Sequence, residues 1–530
     1  MHTSNACNDT SSGRHEHPIT VIDLAGLTID QIQAAFTAET LTAEALTQAC
    51  LERIARWNPA YNAVIFLNER ALNAARQIDQ QRRDGALIGP LAGVPVVVKD
   101  TMDMVGFPTT AGWRLLYGKT GGIDLMPATD APVIARLRAA GAIILGKTNV
   151  PILSHSGTHA NDSWAGPTYN AAGRGFVPGG SSAGTATAVA AGMAVVGLGE
   201  ETGGSIQNPA SAQALVGIKP TFGLVPTTGV MPLSSLRDVV GPIARTVRDA
   251  ALTLDVISGY TAADFKTAAC IGHRPAGGYA ANLRSGALEG SRIGTYGPGW
   301  RAQPLSTEAA QLYERAQTEL STLGAQLVQD PFARSGFADL CRPTPPDSED
   351  DNRGLESLPL DLHQYLAHLG PDGALKTFKD FVRATADEDA FGPNGKLHFM
   401  HGVPGFAECF AAPTVAPNQA EFIALREHYL ALFDQVFHRH RLDALIFPQM
   451  RSELPGLIDA RPIAETTVSE INIAGLPGIT VPAGYYASGA PFCLVIVGRP
   501  WSEARLLQFA YDYEQATRHR RSPVLESGST

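Results

Sequence analysis

Three side chains in the first half of the chain could together perform nucleophilic chemistry. Ser181 lies in the run Gly179-Gly180-Ser181-Ser182-Ala183-Gly184, Ser205 ends the turn Thr202-Gly203-Gly204-Ser205, and Lys99 closes the aliphatic run Val94-Pro95-Val96-Val97-Val98. Glycines let a backbone approach a substrate closely and take positive φ. A serine hydroxyl needs a base before it attacks a carbonyl, and a lysine stripped of water can be that base. Two serines in such turns and one lysine are the parts of an acyl-transfer site that calls for neither metal nor cofactor. Ser205 follows two glycines and precedes a predicted helix start. The main-chain amides of Thr202, Gly203, Gly204 and Ser205 are therefore the expected oxyanion hole.

Each residue also has a plainer reading. Ser205 could cap a helix, Ser181 could be a turn hydroxyl, and Lys99 could snorkel from a strand end or pair with Asp100. The stretch Gly180-Ser181-Ser182-Ala183-Gly184 also fits G-x-S-x-G, which would make Ser182 the nucleophile of a strand-to-helix elbow. That elbow needs a strand just before it, and Pro178 argues against one. It also leaves Lys99 and Ser205 without a role.

The segment GGSSAGTATAVAAGMAVVGLGEETGGSIQNPAS, from Gly179 to Ser211, resembles the long signature of the amidase signature family of serine hydrolases. So do GPLAGVPVVVKD around Lys99, ALVGIKPTFGLVPTTGVMPL (214–233), DVVGPIARTVRDAALTLDVISG (238–259), NIAGLPGITVPAG (472–484) and VGRPWSEARLLQFAYDYEQAT (497–517). The resemblance implies a Ser–Ser–Lys triad: Ser205 as nucleophile, Ser181 as proton relay behind a cis peptide bond, and Lys99 as a neutral base, with Gly180 and Ser182 in support. It implies an amidohydrolase that forms an acyl-enzyme on a small-molecule amide, with esters and carbamates as related substrates. The same signature is shared by glutaminase subunits of tRNA amidotransferases, which pass ammonia to a partner. An unusual middle section and the changes at Glu200 and Gln207 weigh against that alternative. A non-catalytic binding protein on the same fold is the remaining one, and the intact triad weighs against it.

The chain departs from the signature in a few places. Glu200 and Glu201 stand where Thr-Asp is usual, so Glu200 adds a charge beside the catalytic turn. Gln207 replaces an arginine expected to pair with Asp238, and Ala183 replaces a glycine.

Strands alternating with helices predict an α/β fold with a central mixed sheet covered on both faces. Helical periodicity covers 29–57, with Thr42 as an N-cap, then 69–83 and 131–140; buried strands are expected at 94–98, 142–145, 194–198, 444–448, 479–482 and 493–497. From about 261 to 440 the alternation weakens, which predicts a variable, largely helical insertion capping the sheet and shaping the substrate pocket. Within it, Pro343 to Asp351 reads as an exposed loop. Residues 1–17 are expected to be a disordered tail and 18–530 a single domain.

Composition narrows the partners. The net charge is −10, from 51 acidic and 41 basic residues, with no long basic run, which argues against nucleic acid. No apolar run is long enough for a membrane span, and no signal peptide is visible. Six scattered cysteines without a CxxC pair read as free thiols in a reducing compartment, so a cytoplasmic monomer or homodimer is expected. His398 with His401 and His438 with His440 lack the further ligands of a zinc site.

Overall fold

The β-branched run that ends at Lys99 is the centre of the molecule. The computed structural model describes residues 23–346, 350–459 and 461–527, so the predicted tail at 1–17 lies outside the described residues. Eleven strands form one sheet: β1 (Val64–Leu67), β2 (Pro95–Lys99), β3 (Ile143–Thr148), β4 (Val196–Glu201), β5 (Val216–Lys219), β6 (Val239–Ala244), β7 (Arg292–Thr295), β8 (Gln326–Val328), β9 (Ala444–Pro448), β10 (Gly478–Tyr485) and β11 (Pro491–Val497). Their spatial order is β1-β3-β2-β4-β6-β5-β10-β11-β9-β7-β8. β2 runs parallel to β3 and β4 on either side. The middle of the sheet, from β4 to β9, is antiparallel throughout. It is the mixed α/β sheet that the alternation predicted.

Every residue of β2, β3 and β4 is buried, which is why β2 and the start of β3 read as aliphatic runs rather than alternating ones. One face of the sheet receives the helix Ala183–Ala190, itself buried on all sides. Its Ala, Gly and Thr content permits this close packing. A Cβ on Gly184 would sit 2.4 Å from the Ala63 carbonyl oxygen. The predicted helical stretch 29–57 is two helices, Ile29–Thr37 and Ala43–Tyr61. Glu39 breaks them with φ of 56°, and the Thr42 hydroxyl caps the second by accepting from Ala45 N.

The middle section divides in two. The segment 292–328 supplies β7, the helix Thr307–Thr322 and β8, and both strands extend the sheet in parallel. This part is sheet rather than cap. Its strands are only four and three residues long, too short to give a clear period. The helices at 358–411 build a separate apolar cluster from Leu358, Leu362, Tyr365, Phe378, Phe381 and Phe406, which meets the sheet body through Trp113 and Leu153. The end of the predicted exposed loop is also different. Asp351 is 1% exposed, with its carboxylate held by Arg353, because this segment folds inward over the site described below. No described helix is long and apolar enough to cross a membrane.

Candidate active site

Lys99 ends β2 with no exposed surface. Its Nζ donates to Ser181 Oγ at 2.6 Å, to the Glu200 main-chain oxygen at 3.1 Å and to Glu200 Oε2 at 2.7 Å. Asp100 is not its partner. That carboxylate turns the other way, to Lys147 on β3 at 2.7 Å and to the Thr110 hydroxyl. The residue order along β2 makes this split, since adjacent strand residues face opposite sides of a sheet.

Ser181 precedes the buried helix Ala183–Ala190, and the Gly180–Ser181 peptide bond is cis, as the resemblance implied. Gly180 has no room for a side chain: a Cβ would lie 2.4 Å from the Ser156 carbonyl oxygen. Ser182 faces β4. Its hydroxyl lies 3.3 Å from both the main-chain nitrogen and the main-chain oxygen of Glu200, so it pins the helix start to the strand. An elbow nucleophile would instead point into a cavity.

The cavity belongs to Ser205. A space of about 250 Å³ is lined by Ser205, Thr202 and Gly203 on one side and by His155, Arg237 and Glu465 on others, with Asp350, Leu355 and Phe399 from the middle section closing it. Ser205 is 6% exposed, and its carbonyl accepts from Ser182 N at 3.3 Å. The turn beneath it is fixed from both ends. Gly204 has φ of 90°, a conformation that L side chains rarely adopt. Glu201 Oε2 accepts from the amides of Ile206 at 2.8 Å and Gln207 at 3.1 Å, where the helix Gln207–Ala212 begins. Among the described residues, the amides of Gly203, Gly204 and Ser205 donate to no protein acceptor, which leaves them available to an oxyanion.

Gln207 does not stand in for an ion pair with Asp238. Its Nε2 donates to Glu201 Oε1 at 2.6 Å, and Glu201 Oε1 also accepts from Asn472 Nδ2 at 2.8 Å. Asp238 binds the Thr202 hydroxyl at 2.5 Å and the amides of Leu233 and Ser234. Burial, reinforced by the charge of Glu200, pushes the Asp238 carboxyl up to about 7. Glu465 is likewise raised to about 7, by burial first and by Asp350 second. Burial lowers the His155 imidazole below its ordinary value, with the nearby Asp162 carboxylate opposing the shift.

Sequence reasoning marked Lys99, Ser181, Ser205 and the 202–205 turn, and noticed Glu200 only as an added charge. It did not find the Lys99–Glu200 contact, the Thr202–Asp238 bond or the His155 wall. The signal for the first was the departure at Glu200 itself, one strand over from Lys99. Among the described residues no group of three or more His, Cys, Asp or Glu is placed to hold a metal ion.

Comparisons with known proteins agree over nearly the whole chain. The Amidase family profile matches residues 45–507. The solved peptide amidase of Stenotrophomonas maltophilia superposes with a TM-score of 0.79 and 34% identity, covering 95% of this chain and 100% of that one. The A-type subunit of glutamyl-tRNA(Gln) amidotransferase from a Cyanothece species is 32% identical over 511 residues, 94% of this chain and 99% of that protein. The solved counterpart of that amidotransferase component from Thermotoga maritima shares the fold, with a TM-score of 0.69 and 23% identity over 96% of this chain and 99% of that one.

Proposed function

The chain belongs to the amidase family, and from that premise we propose that it cleaves the C–N bond of a small-molecule amide through an acyl-enzyme on Ser205. The observation that carries the reading is the buried Lys99 Nζ, 2.6 Å from Ser181 Oγ, behind the wall of a cavity that Ser205 lines. Ser205 attacks the carbonyl as its proton passes to Ser181 and on to Lys99. The amides of Gly203, Gly204 and Ser205, with Thr202 completing the turn, hold the oxyanion. The proton returns through Ser181 to the leaving amine, and water then releases the acyl group. Protein groups fill every role, so the mechanism asks for no metal or cofactor. Carbamates and esters present the same carbonyl. The reading suits a cytoplasmic monomer or homodimer. In keeping with a reducing compartment, the described cysteines, Cys50, Cys270, Cys341, Cys409 and Cys493, are free thiols.

A second reading is favoured by a specific observation. Curated relatives such as the Cyanothece protein are amidotransferase components, 32% identical over almost the full chain, despite the departures at Glu200 and Gln207. Under this reading the same Ser205 chemistry hydrolyses glutamine, and the ammonia goes to a partner protein. The two readings share the acyl-enzyme and part at the substrate.

The test measures ammonia or amine release from L-glutamine, C-terminally amidated peptides, aryl anilides and aryl carbamates, alongside copurification from the native host. Turnover of peptide amides, anilides or carbamates by the isolated chain supports the hydrolase. Glutamine turnover that appears only with a copurifying partner supports the amidotransferase reading. A fluorophosphonate adduct that persists in Ser205→Ala and disappears in Ser182→Ala refutes both.

A further inference from the structure

The carboxylate at position 200 does more than crowd the base. We propose that Glu200 and Asp238 share one proton across the Thr202 hydroxyl, and that the position of this proton sets the charge on Lys99. The inference rests on the Ser–Ser–Lys reading above, adds Glu200 and Asp238 to it, and gives Thr202 a second role.

The hydrogens around Lys99 suit an ammonium better than a base. An ammonium has three N–H donors and no acceptor. Lys99 Nζ has three acceptors around it: Ser181 Oγ, Glu200 O and Glu200 Oε2. As an ammonium it satisfies all three and cannot take a proton from Ser181. To act as a base it must become an amine with its lone pair toward Ser181, and a full negative charge at Glu200, 2.7 Å away, opposes that change.

The far side of Glu200 supplies the relief. The Thr202 hydroxyl lies 3.1 Å from Glu200 Oε1 and 2.5 Å from Asp238 Oδ1. A hydroxyl carries one proton. Between two bare carboxylates it can serve one and leaves the other facing an oxygen without a hydrogen. One further proton completes the chain in either of two ways. In one, Asp238 carries it, Thr202 donates to Glu200, and Glu200 is a carboxylate that holds Lys99 as ammonium. In the other, Glu200 carries it, Thr202 donates to Asp238, and Lys99 faces a neutral carboxyl. Thr202 gives its proton to one side as it takes one from the other, so the switch neither gains nor loses protons.

Burial disfavours two negative charges at this place. Glu200 is 2% and Asp238 3% exposed, and two buried like charges this close disfavour each other. Asp238 is accordingly raised to about 7, by burial first and then by Glu200. The surrounding cations do not cancel this pair. Lys99 meets Glu200 alone. Arg237 acts on Asp238 only through space, behind Asp351 and Asp350, and donates to the carbonyls of Thr202, Asp351 and Arg353. Lys266 acts on Asp238 only through space and gives its hydrogen bond to Thr227. Asp238 Oδ2 is held by the Leu233 and Ser234 amides, which fixes Oδ1 toward Thr202.

The experiment compares pH profiles of kcat/KM, and of Ser205 phosphonylation, for the full chain and for Glu200→Gln and Asp238→Asn. Glu200→Gln removes the charge that holds the ammonium, so Lys99 deprotonates more readily and the acid limb moves to lower pH by about 1–3 units. Asp238→Asn removes the charge that opposes ionisation of Glu200, so the acid limb moves to higher pH. Opposite shifts are the signature, since simple loosening of the site would lower rates in both without moving the limbs apart. Limbs that stay put, or that move together, overturn the proposal. If Glu200→Gln does not fold, as judged by incomplete phosphonylation at alkaline pH, Asp238→Asn decides alone, and an unmoved or lowered limb refutes it. Lys99→Ala separates the two levels. If that variant keeps its activity, the Ser–Ser–Lys reading fails. If it is inactive and the limbs do not part, only the shared proton fails.

Discussion

Glu201→Ala tests how the turn of the nucleophile is held. Glu201 is fully buried, and its two oxygens accept from Ile206 N, Gln207 N, Gln207 Nε2 and Asn472 Nδ2. Truncation removes all four acceptor contacts at once. The Asn472 amide retains its bond to the Val468 carbonyl at 2.9 Å, and the Gln207 side chain can turn. The two main-chain amides cannot. An unsatisfied buried donor costs about 1–3 kcal/mol, so the stranded pair alone costs about 2–6 kcal/mol. The buried Lys219, already lowered to about 8 by desolvation, also loses a nearby negative charge that supports its ammonium, which adds to the loss. We expect about 4 kcal/mol in total, a large share of the roughly 5–15 kcal/mol that holds a typical domain. The assay is the midpoint shift in urea unfolding at constant m-value, read beside the rate of Ser205 phosphonylation. Glu201→Gln, which keeps one acceptor oxygen, should fall between. If Glu201→Ala loses less than about 1 kcal/mol and labels at the native rate, water has replaced the carboxylate and the turn is not held as argued.

Other expectations follow from single contacts. Lys99→Ala should lose most of its turnover at every pH, while His155→Ala keeps it; the reverse in steady-state assays would make an imidazole the base. Gly204→Ala should be destabilised and slow, because φ of 90° is strained for alanine and the new methyl would lie 2.8 Å from Asn208 Nδ2; native melting and turnover would show that this turn tolerates a Cβ. Glu514, far from the cavity, is raised to about 7 by burial. The folded state therefore favours its protonated form, a contribution present in acid and lost as pH rises through about 7. Glu514→Gln should match the native protein in acid and exceed it in stability at alkaline pH, and equal stabilities at both ends would refute the assignment.

The sheet was legible because its strands obey a rule visible in one dimension. Val94–Val98 and Ala444–Pro448 are aliphatic runs bounded by turns, and the observed strands coincide with them. The division of 29–57 was legible on one side only: Thr42 was marked as the cap of a new helix, while the left-handed turn at Glu39 that ends the first helix has no local signal, since helical periodicity continues across it. The site divided in the same way. Lys99 and the two serines were marked by their glycines and by the aliphatic run. Their neighbours were set by pairing across strands: β2 lies beside β4 and β4 beside β6, which brings Glu200 to Lys99 and Asp238 to Thr202. That adjacency skips β3 and β5 in chain order, and no local pattern encodes it. The loss of the arginine that would pair with Asp238 was legible at Gln207; the partner Gln207 takes instead, Glu201, was not, because it depends on the helix that Gln207 opens.

The cap has an apolar cluster of its own, distinct from the one beneath the sheet, and it contributes one wall of the cavity through Leu355 and Phe399. Under the proposed reading, the base and the nucleophile sit on the sheet side, and the pocket wall at Leu355 and Phe399 belongs to the second cluster. A lineage could redraw the wall at 355 or 399 and draw on the reserve of the cap alone, while the strands that carry the base and the nucleophile keep their register. Divergence in such an architecture would accumulate first in what the enzyme admits and last in what it does.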